Sequence, residues 1–233
     1  LLCNRMPFRP DLKRVPMFGL GCMAGAAGLA RAADYVRGFP DHVAVLLAVE
    51  LCSLTLQRED LSVPNLIASG LFGDGGAAVV VCGERREAIG PRVVATHAVF
   101  YPETEEIMGW RISETGFRLV LSAELPALIR RRLRADVDAF LARHELARAD
   151  VRAWICHPGG PAVLDAIHET LELPEGALDR SWKTLRETGN LSSASVLMVL
   201  RDALDANDLA AGDPAVILAM GPGFSTELVL VEW

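Results

Sequence analysis

Apolar residues gather in a few short runs, Val43 to Val49, Ala77 to Cys82 and Ala215 to Met220, separated by long stretches in which apolar and polar positions alternate. None of these runs approaches the roughly 20 residues that span a bilayer. Their length and β-branched content predict strands buried on both faces, as in a sheet covered by helices. Two segments echo each other. A strand from Asp41 to Val49 is followed by the glycine turn Gly73-Asp-Gly-Gly and the strand Ala77 to Cys82; a strand from Asp213 to Met220 is followed by Gly221-Pro-Gly and the strand Glu227 to Val231. Strand, glycine turn, strand therefore occurs twice, which suggests a duplicated α/β half.

Helical periodicity marks four further segments. Cys22 to Val36 is rich in alanine and leucine and almost free of charge before Arg31, so it reads as a buried helix. Gly25 and Gly28 lower its intrinsic helicity by up to about 1 kcal/mol each, which makes sense where another backbone packs closely. Ser122 to His144 places arginines on an outer face, with Pro126 in a first turn. Pro161 to Leu171 and Ser192 to Asp205 complete the set, and Asp150 to Ile155 supplies a strand before the third helix. The polar stretch Glu84 to Pro91 is the boundary between halves, giving domains at 1–88 and 89–233.

Composition narrows the class. Just over half the 233 residues are hydrophobic and mean hydropathy is slightly positive, yet no membrane span and no signal segment is visible, so the expectation is a cytoplasmic protein without membrane insertion. A net charge of −7 argues against nucleic acid as a partner. Cys3, Cys22, Cys52, Cys82 and Cys156 form no C-x-x-C pair, and their odd number and wide spread fit neither a disulfide framework nor a zinc site. Most free cysteines act as small buried hydrophobes.

Cys22 has a distinctive setting. Gly19-Leu-Gly-Cys22-Met-Ala-Gly puts it where a glycine-rich turn meets a helix, and free N–H groups at a helix start favour a thiolate. A structural cysteine is the plain alternative. Trp154-Ile-Cys-His157-Pro-Gly-Gly160-Pro places a histidine at a strand end, where α/β folds carry active-site groups, with glycines that leave room for a ligand; a satisfied turn residue is the alternative. Gly189-Asn190-Leu-Ser-Ser-Ala-Ser starts a helix, and capping is the default role of Asn190 there. The loops Leu71-Phe72-Gly-Asp-Gly and Gly221-Pro222-Gly223 are common turns, and neither a dinucleotide fingerprint nor a P-loop is present.

Taken in order, G-C-M-A-G, L-F-G-D-G, C-H-P-G-G-P, G-N-L-S-S-A-S and G-P-G-F resemble the signature series of the type III polyketide synthases, the chalcone-synthase-like enzymes, and the resemblance covers nearly the whole chain from about Arg9. It implies a thiolase-type layered αβαβα fold of two similar halves, a homodimer, and no resident cofactor or metal. Acyl-CoA starter and malonyl-CoA would be the substrates. Cys22 would carry the acyl chain as a thioester, His157 would pair with it as imidazolium, and His157 and Asn190 would donate to the malonyl thioester carbonyl during decarboxylation. That enolate-forming step is where preorganised donors matter most. Phe72 matches a gatekeeping aromatic beside the cysteine, Gly221-Pro222-Gly223 a loop that shapes the cavity, and Cys52, Thr55 and Gly160 also match substrate-side positions. Leu119 stands where plant members have a second gatekeeping phenylalanine, and Trp110 where chalcone-type enzymes have a glycine. Glu50-Leu-Cys-Ser-Leu54 is similar to bacterial members, which points away from a plant-like aromatic starter.

The resemblance also implies that members begin well upstream of the residue matched by Leu1. The first half is then expected to lack strands and several CoA-gripping basic residues and to expose apolar edges, and the chain is expected to be neither stable nor fully active by itself. The leading expectation is an acyltransferase that condenses malonyl-CoA with a starter and cyclises the product to a pyrone, resorcinol or naphthalene type. A ketoacyl-carrier-protein synthase III-like enzyme is the enzyme alternative, against which H-P-G-G-P speaks; an inactive truncated dimer partner is the other.

Overall fold

The computed structural model describes residues 2–114 and 116–233, with residues 2 and 3 described by backbone alone, so the expectation for the Cys3 thiol lies outside the described side chains. The elements in chain order are α1 (Leu2–Arg5), a 3-10 turn (Gly21–Met23), α2 (Ala24–Gly38), β1 (Val43–Leu51), a 3-10 turn (Cys52–Thr55), α3 (Val63–Leu71), β2 (Asp74–Cys82), β3 (Arg92–Phe100), β4 (Met108–Ser113) and β5 (Gly116–Leu121). There follow α4 (Leu125–Ala142), a 3-10 turn (Arg148–Asp150), β6 (Ala153–Cys156), α5 (Pro161–Leu171), α6 (Asp179–Thr188), α7 (Ser193–Ala206), β7 (Pro214–Gly221) and β8 (Ser225–Glu232).

The central sheet has the order β3-β8-β7-β6, with β6 parallel to β7 and the other pairs antiparallel. Its two faces build two cores by strict alternation, because successive side chains of a strand point to opposite faces. Trp154, Cys156, Val216, Leu218, Leu228 and Leu230 pack with α4 and α5. Ala153, Ile155, Ala215, Ile217, Val229 and Val231 pack with α2 and α7. On the far side of α2 and α7 lies the antiparallel β1–β2 ribbon, so the described layers run ribbon, helices, sheet, helices. The second antiparallel ribbon, β4–β5, stands beside the 3-10 turn 52–55 and α3.

The two strand–glycine–strand segments are both antiparallel pairs, β1–β2 and β7–β8. The expectation of strands buried on both faces holds for β7 and fails for β1 and β2, which alternate between half-buried and exposed. Val45, Leu47, Val49 and Leu51 stay exposed on one face of the ribbon, while Leu46 and Ala48 turn toward α2 and α7. Periodicity cannot distinguish one-sided from two-sided burial in a continuous apolar run, because covering is decided by distant elements.

Helix boundaries sit within a few residues of expectation, with Pro126 in the first turn of α4 and Pro161 at the start of α5. Cys22 lies in the 3-10 turn just before α2 rather than in the helix itself. A Cβ on Gly25 would meet the carbonyl oxygen of Ser193 at 2.2 Å, so this glycine is what lets the start of α7 reach α2. At Gly28 the close neighbour is a side chain, Leu46.

Candidate active site

Three segments remote in sequence deliver Cys22, His157 and Asn190 to one region. The 3-10 turn ahead of α2 carries Cys22, 6% exposed, and it is clasped by the Gly221-Pro222-Gly223 loop: a Cβ on Gly21 would strike Pro222 at 2.7 Å, and one on Gly221 would strike the Leu20 carbonyl at 2.4 Å. His157 follows the last residue of β6, and its N–H donates to the Leu218 carbonyl of β7 at 2.8 Å, which fixes the residue to the central sheet. Asn190 lies between α6 and α7, bridged to Phe72 and 1% exposed.

Asn190 does not cap α7; Ser192 occupies the cap position. The Asn190 amide nitrogen instead donates to the Gly159 carbonyl at 3.1 Å, and its oxygen accepts from the Ser192 N–H at 2.8 Å. The same side chain weakly favours a charged Cys22 sulfur. Asn190 thus ties the start of α7 to the His157-Pro-Gly159 turn. A Cβ on Gly159 would lie 3.7 Å from His157 Nε2, so the imidazole lies against the turn that Asn190 holds.

His157 is 4% exposed, and neither ring nitrogen has a hydrogen-bond partner. A buried polar group left without a partner is rare, and it costs free energy unless another species completes it. Burial pushes the His157 imidazole down to about 4. Burial likewise pushes the Cys22 thiol up to about 12, opposed first by a hydrogen bond to Ser192 and reinforced by the negative charge of Glu50. At Cys22 the helix start favours the thiolate and burial opposes it, while at His157 burial opposes the imidazolium, because desolvation penalises each charge separately.

In front of Cys22 opens a cavity of about 270 Å³. Of the residues singled out in the sequence, Cys22, Cys52, Thr55, Phe72, Trp110, Leu119 and Pro222 are on its wall; His157, Gly160, Asn190, Gly221 and Gly223 are not. Trp110 on β4 pairs directly with Leu119 on β5, so the ribbon supplies one side of the cavity. The 3-10 turn carrying Cys52 and Thr55 supplies another and is pinned by Asp74, which accepts from the Ser53 N–H at 2.7 Å and the Ser53 hydroxyl at 2.6 Å. Sequence reading missed Glu50, Met108 and Ser192 on the wall. Ser192 was legible only as the fourth residue of G-N-L-S, a position with nothing local to separate it from a capping serine. No cluster of metal-ligating side chains occurs among the described residues, and no helix there is long and apolar enough to cross a membrane.

Comparison with known proteins agrees along the whole chain. The family model for the N-terminal domain of chalcone and stilbene synthases matches residues 1–85, and that for the C-terminal domain matches residues 92–232. Among curated relatives, 1,3,6,8-tetrahydroxynaphthalene synthase of Streptomyces peucetius subsp. caesius is 56% identical over 100% of this chain and 62% of its own length. A putative chalcone synthase of Bacillus subtilis is 39% identical over 100% of this chain and 65% of its own. The chain therefore spans somewhat under two thirds of the length of these relatives. The crystal structure of 1,3,6,8-tetrahydroxynaphthalene synthase from Streptomyces coelicolor A3(2), a bacterial type III polyketide synthase, superposes with a TM-score of 0.95 at 35% identity, covering 100% of this chain and 66% of that one.

Proposed function

The chain belongs to the chalcone and stilbene synthase family, with its thiolase-type fold, and from that premise we propose that it is a type III polyketide synthase. Cys22 is the acyl-carrying nucleophile, and the product is of the naphthalene type. The observation that carries the reading is His157: a buried imidazole with both nitrogens free, its ionisation depressed by burial, on the turn that Asn190 grips, together with a buried cysteine that faces a cavity.

A neutral imidazole is a base. As the Cys22 sulfur attacks the thioester carbonyl of an acyl-CoA, its proton passes to His157 and the CoA thiolate departs. The imidazolium and the Asn190 amide then form a pair of donors. Malonyl-CoA loses CO2 from its carboxylate, and the electron pair left behind is held as an enolate whose oxygen accepts from that pair. The enolate carbon forms a bond to the Cys22 thioester carbonyl and the Cys22–carbonyl bond breaks, which returns the sulfur. Donors already in place in a dry site are worth most at such a charge-developing step. Phe72 on the cavity wall disfavours the malonyl carboxylate and thereby assists its loss.

The naphthalene-type product is supported by the name and 56% identity of the Streptomyces peucetius relative, and by Trp110 and Leu119 in place of the residues of chalcone-type enzymes. Dimerisation, CoA-thioester substrates without carrier protein, and residence in the cytoplasm belong to the same reading, as does the division of the chain at 84–91. Incubation of the purified chain with malonyl-CoA alone, followed by mass spectrometry of products and assay of released CoA, tests it. Cyclised polyketide that disappears in Cys22→Ala is the expected result. Polyketide made by Cys22→Ala, or turnover only with a carrier protein, would refute the reading.

A further inference from the structure

Ser192 stands on the cavity wall with Cys22, and its backbone takes φ 50° and ψ −127°, a region comfortable for glycine and strained for a residue with a Cβ. Its neighbours hold it there. The Leu191 N–H donates to Ser195 Oγ at 2.7 Å, the Ser192 N–H to Asn190 Oδ1 at 2.8 Å, and the Ser193 N–H to Glu50 Oε1 at 3.3 Å. The Ser193 hydroxyl donates to the same Glu50 oxygen, and the bare face of Gly25 receives the Ser193 carbonyl. Three consecutive N–H groups thus end on side-chain oxygens. Strain of this kind persists only where the surroundings over-determine it, and it collects at active sites.

The strained turn sets Ser192 beside Cys22 on the same cavity wall, where its side chain favours a charged sulfur. Of the groups that favour a charged sulfur, Ser192 acts more strongly than Asn190. Glu50 acts in the opposite sense through its charge, so its part is to hold the turn rather than to activate the thiol. We propose that Ser192 is a further catalytic residue, whose hydroxyl donates to Cys22 Sγ each time that sulfur carries negative charge. Those moments are the attack on the incoming thioester and the later break of the Cys22–carbonyl bond. Ser192 keeps its proton throughout; the thiol proton goes to His157. In a site shielded from water such a donor is not diluted by competing solvent. The inference rests on the reading of Cys22 as the nucleophile.

The test measures alkylation of Cys22 by iodoacetamide between pH 6 and 10, scored on the Cys22 peptide by mass spectrometry, with Cys52 of the same cavity as internal reference. Ser192→Ala and Ser192→Gly are expected to slow Cys22 alkylation about tenfold at fixed pH, the scale of one hydrogen bond to a charged group, and to leave Cys52 unchanged. The glycine variant relieves the strain while losing the hydroxyl, so it should melt at a higher temperature than Ser192→Ala. Cys22 rates within twofold of the parent in both variants, equal slowing at Cys52, or a glycine variant that melts no higher than the alanine one would each overturn the proposal. Turnover is not the readout, so a null result at Ser192 leaves the proposed reaction standing, and a chain that makes no polyketide still answers the question.

Discussion

Trp110 and Leu119 face each other across the β4–β5 ribbon, and both line the cavity that opens on Cys22. A cross-strand pair of this kind acts as a unit, because opposed side chains on one face are in direct contact. The size of the space beside the nucleophile is therefore a property of the pair.

Trp110→Gly is expected to enlarge the cavity and shift products toward longer chains, and Leu119→Phe to shift them toward shorter ones. Mass spectrometry of products from malonyl-CoA reads both. Trp110 is 41% exposed, so its loss should lower stability by only about 1 kcal/mol, and a changed product pattern would not reflect unfolding.

Asn190 satisfies two backbone groups, the Gly159 carbonyl and the Ser192 N–H. Asn190→Ala should lose malonyl-CoA decarboxylation by about 10²–10³-fold, the scale of one lost donor at a developing oxyanion. Leaving those partners unpaired should also cost about 1–3 kcal/mol each. CoA release and urea unfolding check the two parts separately. Unchanged CoA release would remove Asn190 from the mechanism.

His157 ties stability to acid. Its imidazole is held at about 4 against 6.5 in an open chain, so the unfolded state binds the proton more tightly. The contribution is whole above pH 6.5 and disappears as pH falls through 4, on the order of 3 kcal/mol in all. Urea unfolding at pH 7 and pH 4 should show the parent losing more stability than His157→Gln. Parallel losses in the two proteins would show that burial does not depress this imidazole. Turnover should decline in the same window, since protonation removes the base.

Two glycines make opposite predictions. Gly25→Ala drives a Cβ into the Ser193 carbonyl at 2.2 Å and should destabilise by about 1–3 kcal/mol, as overpacking does. It should also slow Cys22 alkylation by displacing the α7 start. Gly70 lies in α3 with open space at its Cβ position, so Gly70→Ala should gain up to about 1 kcal/mol through helix propensity. Thermal melts of the two variants give the comparison.

Much of this was legible from the sequence by itself. Residue identity and spacing determined that Ala215 to Met220 is a buried strand and that α5 starts at Pro161, because each depends on local pattern, and the ordered motifs singled out Cys22, His157 and Asn190 together. The β4–β5 ribbon escaped, since Met108 to Ser113 mixes Trp110, Arg111 and Ile112 with no clean alternation. Tertiary structure alone decided which face of β1 is covered, that Asn190 binds the Gly159 turn instead of capping α7, and that Ser192 takes a strained backbone on the cavity wall it shares with Cys22. It also decided how strongly burial opposes charge at the two ionisable groups. A helix start favours a thiolate through a few nearby dipoles, whereas desolvation adds up over every neighbour that folding brings in, and around Cys22 and His157 the second is the larger.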